Sequence, residues 1–250
     1  RFEFIEVLIR LALAKYGNGI ETYDVSDAVS MLFERNISPN LPPEAAIDSD
    51  KFRIERLYFE EMEDEFVKHK DLLRAVYSRY RQRPHGGGLR YKQLTIGGWM
   101  QLMDDCKLID DHFTERLAKL CYLTGQMCVI DEVKNRKKLE EMSWIEFLDA
   151  IGRVGELVHL PTDEYLANSG YPNVLDFRIS QETETDPAMI MPVRPSNTVA
   201  GERTRNLWVK VRILLDYMWR RLDTDPQDPK PFDRARLLKS IKKLDKDMGP

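Results

Sequence analysis

Residues 146–155 read Glu-Phe-Leu-Asp-Ala-Ile-Gly-Arg-Val-Gly, and residues 3–12 read Glu-Phe-Ile-Glu-Val-Leu-Ile-Arg-Leu-Ala. Position for position, both phrases give an acid, an aromatic residue, an aliphatic residue, a second acid and, four residues after it, an arginine. The first acid and the arginine are seven residues apart, two turns along one side of a helix, and apolar residues fill the stripe between them. A repeated helix without a catalytic residue predicts a scaffold built from repeated units.

The rest of the chain also has helical periodicity. Apolar residues recur at spacings of three and four, and clean alternation is nearly absent. Ser143 and Glu146 form a capping-box pattern, Asp24 is placed to cap a second helix, and Gly17 stops the first one. The predicted fold class is all-α, with helices over residues 2–16, 25–33, 50–81 (broken near His69), 94–108, 113–127, 143–157, 207–222 and 232–244.

Length and composition limit the class of protein. The 250 residues are 42% hydrophobic and include four Trp, ten Tyr and ten Phe, enough for one large or two small domains. No apolar run approaches the ~20 residues that cross a bilayer, and no signal-peptide pattern is visible, so no membrane partner is expected. Because Arg1 is not Met and already belongs to the first helical phrase, we expect a segment of a longer chain.

Charge is unevenly distributed along the sequence. Residues 203–250 contain 13 Lys and Arg against 7 Asp, a balance of +6, and the preceding residues have a balance of −10. Two interpretations stay open: the basic segment contacts an acidic neighbouring protein, or it folds back on its own acidic body. The interleaved Asp residues and the acidic body argue against nucleic acid as a partner.

Four predicted helices within residues 65–157 follow the order helix, loop, helix, short link, helix, loop, helix. This span resembles a degenerate pair of EF-hands. It also resembles the core of the tubulin polymerization-promoting protein family, where a helix ending in lysine, leucine, isoleucine and aspartate precedes one built on phenylalanine, x, x, phenylalanine. Here residues 107–110 read Lys-Leu-Ile-Asp and residues 144–147 read Trp-Ile-Glu-Phe.

Residues 1–157 further resemble long axonemal proteins of cilia and flagella. The likeness lies in residues 1–6 (Arg-Phe-Glu-Phe-Ile-Glu), residues 73–80 (Leu-Arg-Ala-Val-Tyr-Ser-Arg-Tyr) and the second copy of the phrase. The resemblance implies a cytoskeletal location in the axoneme, with tubulin or axonemal proteins as partners. Each phrase is then the last helix of an EF-hand-like unit.

Calcium binding by an EF-hand requires oxygen ligands at loop positions 1, 3, 5 and 12 and a glycine at position 6. The first loop, residues 81–88, contains basic residues and three glycines, and residues 131–137 of the second lack the acid-x-acid-x-acid-Gly order. Residues 85–88 match the His-Gly-Gly-Gly tetrad of some esterases, but no Gly-x-Ser-x-Gly elbow accompanies them. We expect no catalytic residue, no metal site and no cofactor.

Cysteine and histidine usage supports the same expectation. The three cysteines are odd in number and lie among helix-forming apolar residues, so reduced, buried thiols in a cytosolic protein are expected at Cys106, Cys121 and Cys128. The four histidines are scattered without the spacing of a metal site.

The helix over residues 207–222 carries the candidate partner contacts. Trp208 and Trp219 are eleven residues apart, which places them about 20° from the same helix face. The stripe either docks on the protein's own core or enters a groove of another protein, with tryptophans as anchors. The candidate contacts are Trp208, Val211, Leu215, Trp219, Arg220 and Arg221.

Together these features predict four segments. Residues 1–64 form a helical half-unit and linker, residues 65–157 an EF-hand-like pair, residues 158–201 a Pro-containing, irregular arm, and residues 202–250 basic C-terminal helices. The predicted function is a non-enzymatic structural module of an axonemal assembly that holds neighbouring proteins in register. Two alternatives are a calcium-responsive EF-hand regulator and a docking domain of a larger, enzyme-containing chain.

Overall fold

The computed structural model describes residues 2–17, 24–41, 48–81, 93–131, 133–158, 161, 163–183, 206–223 and 232–247. Within these ranges the chain is helical apart from turns and one two-stranded sheet, so the predicted all-α class is confirmed. EF-hand-like pairing of the helices stays a prediction. The elements are α1 (Phe2–Tyr16), α2 (Val25–Leu32), α3 (Ser49–Phe52), α4 (Glu60–Lys68), α5 (Lys70–Tyr80), β1 (Leu94–Thr95), α6 (Ile96–Asp105), α7 (Glu115–Gly125), α8 (Arg136–Glu140), β2 (Glu141–Met142), α9 (Trp144–Leu157), α10 (Asp163–Ser169), α11 (Val174–Thr183), α12 (Leu207–Asp223) and α13 (Arg234–Asp247).

The chain divides into two compact units, residues 1–48 and residues 49–250. The boundary at residue 48 falls inside the predicted first segment, residues 1–64. The predicted segment boundaries after residues 64, 157 and 201 stay predictions. In the first unit, α1 packs against α2 around Ala12, Ala28 and Leu32.

Asp24 caps α2, as its position in the sequence predicts. Its carboxylate accepts hydrogen bonds from the backbone N–H groups of Ser26 and Asp27, and the Asp27 side chain accepts one from the backbone of Asp24. This reciprocal capping box satisfies backbone donors that the first turn of a helix leaves without partners.

The second unit is built around α9, where all residues from Asp149 to Glu156 are buried. Small residues let neighbouring helices approach α9 closely. Gly125 of α7 lies against Ala150, and Val211 of α12 lies against Gly155. Because glycine has no side chain at these two contacts, α7 and α12 pack close to α9 and the three helices share one core.

A short antiparallel sheet joins the segments before α6 and α9. Leu94 pairs with Met142 and Thr95 with Glu141. The hydroxyl of Tyr77 donates to the carbonyl oxygen of Met142 at 2.9 Å, so an aromatic residue of α5 holds one strand from inside the core.

The stretch predicted as a long helix, residues 50–81, is interrupted twice. The chain leaves the helical conformation at Tyr58, after a π-helical turn over Arg53–Leu57, and again at His69. The second break was expected. The first break, at Tyr58, was not expected. Ile54, Tyr58 and Met62 have the spacing of one helix face, but Ile54 and Tyr58 are exposed and only Met62 is buried.

Residues 163–183 form α10 and α11, so the predicted irregular arm is wrong for this part. Leu166, Val174 and Phe177 are buried in the core of the second unit. Of the prolines that suggested an arm, Pro161 stands before α10 and Pro172 between the two short helices, where proline is tolerated. Residues 184–201 of the predicted arm lie outside the described residues.

The basic C-terminal segment folds back on the protein over its described part. α13 packs against α5 and α12, with Leu237 and Ile241 buried. Arg236 forms an ion pair with Asp223 at 2.5 Å. Of the two interpretations of the basic segment, the one in which it folds back on its own protein therefore applies to α13.

Two of the three cysteines are buried as expected. Burial raises the pKa of Cys121 to about 12 and raises the pKa of Cys106 further, so both thiols stay protonated at neutral pH. The expectation is wrong for Cys128, which is exposed. In the part of the chain that the structure describes, no helix is both long and apolar enough to cross a membrane.

Candidate functional site

The helix predicted to contact a partner is α12, and its apolar stripe faces the interior of the second unit. Val211, Leu215 and Trp219 are buried in the core that α12 forms with α4 and α9. An apolar stripe this broad is stabilised by burial against neighbouring helices. The prediction that these three residues contact a partner is therefore wrong. They follow the alternative prediction, in which the helix docks on the protein's own core.

The other three candidate contacts on α12 are half-buried and already make contacts within the chain. The guanidinium group of Arg212 lies 5.6 Å from the ring centroid of Trp208. Arg220 donates a hydrogen bond to Asp216 at 2.7 Å, and Arg221 also has a partner within the chain. A role of Trp208, Arg220 and Arg221 at an interface stays a prediction.

A cluster of three buried charged residues lies where residues 49–57 meet α9. Arg53 Nε lies 2.6 Å from one carboxylate oxygen of Asp149, and Arg153 Nε lies 2.6 Å from the other. All three side chains are buried. An unpaired buried charge is strongly destabilising. The two guanidinium groups are therefore stable in the core only together with the carboxylate that they share.

The second positive charge of the cluster is balanced by the end of α7. Arg53 Nη2 donates to the backbone carbonyl oxygens of residues 124, 125 and 126 at 3.3, 3.1 and 3.1 Å. The last carbonyls of a helix carry partial negative charge and need donors. Burial acts to lower the pKa of Arg53, but the hydrogen bond and charge of Asp149, together with the hydrogen bond to Asp50, outweigh it, so the pKa is raised. Arg53 therefore stays charged and caps α7.

Two more contacts hold residues 49–57, which we term the strap, against the core. Arg56 donates to Glu156 at 2.8 Å, and Lys210 of α12 donates to the same carboxylate oxygen at 3.2 Å. Leu57 lies over Gly152, where an added Cβ would stand 2.6 Å from Leu57 Cδ1. The strap is thus fixed to α7 and α9 by charge and by shape, and Glu156 of α9 is shared with Lys210 of α12.

The outward side of the strap and the turn after it carry three large apolar residues, which we term the ridge. Ile54, Tyr58 and Phe59 are 69%, 59% and 49% exposed. Ile54 and Tyr58 are about one turn apart, and Phe59 precedes the first residue of α4. Buried Arg53 and Leu57 and partly buried Arg56 fix the backbone beneath them, so the ridge is held in a defined position.

The second EF-hand-like loop does not have the ligand arrangement of a calcium site. If Glu146 is position 12, then Asn135, Lys137 and Leu139 occupy positions 1, 3 and 5, and most of this stretch is the one-turn helix α8. A lysine and a leucine at ligand positions supply no oxygen donor. Residues 82–92, with most of the first loop and the His-Gly-Gly-Gly tetrad, lie outside the described residues.

Glu146 itself is used for capping. One carboxylate oxygen accepts the backbone N–H of Ser143 at 2.7 Å, and the other accepts that of Met127 at 2.7 Å. The predicted capping box of α9 is confirmed. Across the described ranges, no three His, Cys, Asp or Glu residues are grouped so that they could hold a metal ion.

The two copies of the repeated phrase lie in different surroundings. Phe147, Ala150 and Val154 of α9 are completely buried, whereas the corresponding residues of α1, Phe4, Val7 and Leu11, are exposed. The paired acid and arginine also differ, because Asp149 and Arg153 are buried while Glu6 and Arg10 form an exposed ion pair at 2.6 Å. The same pattern therefore serves as a core helix once and as a surface helix once.

Comparison with protein family models, curated proteins and solved structures found no match. Sequence reasoning missed the strap because its decisive residues, Arg53 and Asp149, are 96 positions apart. A local signal existed in the glycines of α9: Gly152 and Gly155 lie in the helix interior, where glycine is destabilising, which indicates close approach by another element.

Proposed function

We propose that the chain is a non-enzymatic interaction module that holds neighbouring proteins in register. The observation that carries the proposal is the division of labour between its side chains. Buried charged residues such as Arg53 and Asp149 are engaged in structural contacts, while large apolar residues stand exposed on fixed backbone, as in the ridge. Exposed apolar groups on a rigid scaffold are typical of protein–protein contact sites.

We further propose that residues 65–157 are an EF-hand-like pair kept for packing. The order α5, loop, α6, α7, loop, α9 supports this proposal, as does the antiparallel pairing of the residues just before α6 and α9. In this arrangement α9 is the last helix of the pair, and α1 has the same phrase as the last helix of another unit. Duplication of such units provides length, which suits an architectural function.

The proposed location is the axoneme of a cilium or flagellum, with tubulin or axonemal proteins as partners. This part rests on the resemblance of residues 1–6, residues 73–80 and the repeated phrase. The exposed face of α1 agrees with a module that has neighbours, because three residues of the phrase that are buried in α9 are exposed there.

Cross-linking mass spectrometry of isolated axonemes tests the proposal. We expect lysines of this chain, such as Lys51 and Lys138, to cross-link to other axonemal proteins at reproducible positions. Axonemes extracted with high salt until the chain is released provide the control, because specific cross-links must then disappear. Cross-links confined to the chain itself, or absence of the chain from axonemes, would contradict the proposal.

The calcium-responsive alternative has little support in the described residues. Met142 and Leu94 are paired across the sheet, and the step from Met142 to Glu146 leads from Leu94 to Gly98. Position 12 of the first loop would therefore be a glycine, and an added Cβ there would overlap the carbonyl oxygen of Tyr80. Isothermal titration with calcium is expected to show no binding heat, and a saturable signal would restore this alternative.

A further inference from the structure

The ridge meets the physical requirements of a docking surface. Its three side chains, Ile54, Tyr58 and Phe59, offer aliphatic and aromatic area within six consecutive residues. Arg53, just before Ile54, points inward and makes a buried ion pair with Asp149, and Arg56, two residues after Ile54, makes a partly buried one with Glu156. Because the strap is already ordered by these contacts, a partner that binds the ridge loses little entropy in ordering it.

The border of the ridge is acidic. Glu60, Glu61 and Glu63 occupy the first turn of α4 immediately after Phe59, and Asp64 follows; all four are exposed. Glu55 lies between the apolar residues and is 3.9 Å from Lys51. Among the described residues 48–64, Lys51 is the exposed basic residue, since Arg53 and Arg56 are held inward. The surface therefore combines an apolar centre with negative potential at its edge.

We propose that the ridge docks a basic amphipathic helix of a neighbouring protein. This inference rests on the proposed function and adds the chemistry of the partner. The apolar face of such a helix covers Ile54, Tyr58 and Phe59, and lysine or arginine residues beside that face pair with the carboxylates of α4. Apolar contact supplies the affinity, and opposite charge selects the partner and its orientation.

The test uses the whole chain and a defined peptide. The probe is a fluorescein-labelled peptide of leucine and lysine, about 18 residues or five turns long, with its leucines on one helix face. A peptide of the same composition, with leucines spread around the helix, is the control for charge alone. Fluorescence anisotropy gives the affinity, and hydrogen exchange locates the binding site.

The decisive variant combines Ile54→Ser, Tyr58→Ser and Phe59→Ser. The matched control combines Ile130→Ser and Val133→Ser, which remove exposed apolar side chains from the loop after α7. We expect the ridge variant to weaken binding of the amphipathic peptide at least about tenfold and the loop variant to leave it unchanged. Substitution of Glu60, Glu61 and Glu63 by Gln should weaken binding mainly at low salt.

The expected footprint is slower exchange at residues 53–64 when the amphipathic peptide is bound. Equal binding of both peptides, equal binding by the ridge variant, or protection confined to other residues would overturn the docking site. Dimerisation of the chain through the ridge would overturn it as well, because the occupant would be a second copy. Axonemal cross-links that avoid the strap would remove this inference and leave the proposed function standing.

Discussion

At the scale of single residues, the smallest side chains decide what the repeated phrase does. Gly152 makes room for Leu57 and Gly155 for Val211, so the strap and α12 can close on α9. At the position that corresponds to Gly152, α1 has Ile9, whose side chain would fill that space. The shared aromatic residue, acid and arginine define a helix face, and the residues between them determine whether other elements can cover it.

Gly98 and its neighbour Gly97 provide the sharpest test of packing. A Cβ at Gly98 would overlap the backbone oxygen of Tyr80, and backbone cannot rotate away. Gly97 is exposed, and a Cβ there would meet only the hydroxyl oxygen of Thr95, at 3.9 Å. We expect Gly98→Ala to lower the free energy of unfolding by about 3 kcal/mol and Gly97→Ala to raise it by about 0.5 kcal/mol. Urea unfolding followed by circular dichroism measures both, and equal effects would refute the packing argument.

Asp149 and Asp50 contact the same arginine in different environments. Asp149 is buried between Arg53 and Arg153, whereas the side chain of Asp50, 2.8 Å from Arg53, is 82% exposed. We expect Asp149→Asn to lower the free energy of unfolding by about 3–5 kcal/mol, because two buried arginines lose the buried carboxylate that they share. Asp50→Asn should cost no more than about 1 kcal/mol.

The two substitutions can also be distinguished locally. Hydrogen exchange should show that Asp149→Asn releases the strap, with faster exchange of the backbone amides over residues 49–57, while Asp50→Asn leaves them protected. If both variants behave alike, the cluster contributes no more than a surface ion pair.

At the scale of elements, the break between α4 and α5 is joined to α12 by one hydrogen bond. The indole N–H of Trp219 donates to Nδ1 of His69 at 2.9 Å, which assigns the neutral imidazole its proton on Nε2. Burial lowers the pKa of His69, and the positive charge of Arg234 lowers it further; Lys68 acts in the same direction, and Glu65 and Asp216 oppose it. Protonation of the ring would remove the acceptor of Trp219.

A pH dependence follows from this pKa. The unfolded chain has an ordinary histidine pKa of about 6.5 and takes up the proton first as the pH falls, so the stability contributed by neutral His69 is complete above pH ~6.5 and is lost below it. We expect the free energy of unfolding to fall from pH 7.5 to pH 5.5, with a slope of at most about 1.4 kcal/mol per pH unit from this group. Urea unfolding at three pH values measures the slope.

Two histidine variants control that measurement. His69→Gln keeps an acceptor oxygen without a group that titrates, and the slope should become flatter. His112→Gln changes an exposed residue, and the slope should persist. A slope that is unchanged in His69→Gln would assign the pH dependence to another group.

Sequence patterns predicted helices well where the signal is local. The caps at Asp24 and Ser143 are confirmed, and α1 ends at Tyr16, just before Gly17. The break at Tyr58 was missed because Arg53 and Leu57 are fixed by residues of α7 and α9, which a local pattern does not contain. α10 and α11 were missed because short helices depend on tertiary burial, here of Leu166 and Phe177, more than on propensity.

Prediction of the candidate site was weaker for a related reason. Trp208 and Trp219 were chosen because aromatic residues mark interfaces, but the same property makes Trp219 a core residue of the second unit. The ridge shows the opposite error. Ile54 and Tyr58 are four residues apart, a spacing that predicts one buried face of a continuous helix, but the helix breaks at Tyr58 and both side chains are exposed. Burial of an apolar residue is decided by the elements around it, which single-chain periodicity does not specify.

At the scale of the whole molecule, the two units have separate cores. The first is small in the part that the structure describes, with Ala12, Ala28 and Leu32 as its buried apolar residues, and among the described residues the large cluster of the second unit begins at Phe52. With so few buried side chains among their described residues, residues 1–48 have little stability of their own. The two units are therefore expected to unfold in separate transitions.

Leu32→Ala tests this independence. The substitution removes about 2–5 kcal/mol from a buried leucine site, more than so small a unit is expected to have in reserve. We expect hydrogen exchange over residues 2–41 to reach the rate of unfolded chain, while peptides from α5 to α9 keep their protection. Leu11→Ala, which truncates an exposed leucine of α1, serves as the matched control and should leave both units protected. Loss of protection in α9 on substitution of Leu32 would mean that the stability of the second unit depends on the first, and α1 would then act as part of one cooperative fold.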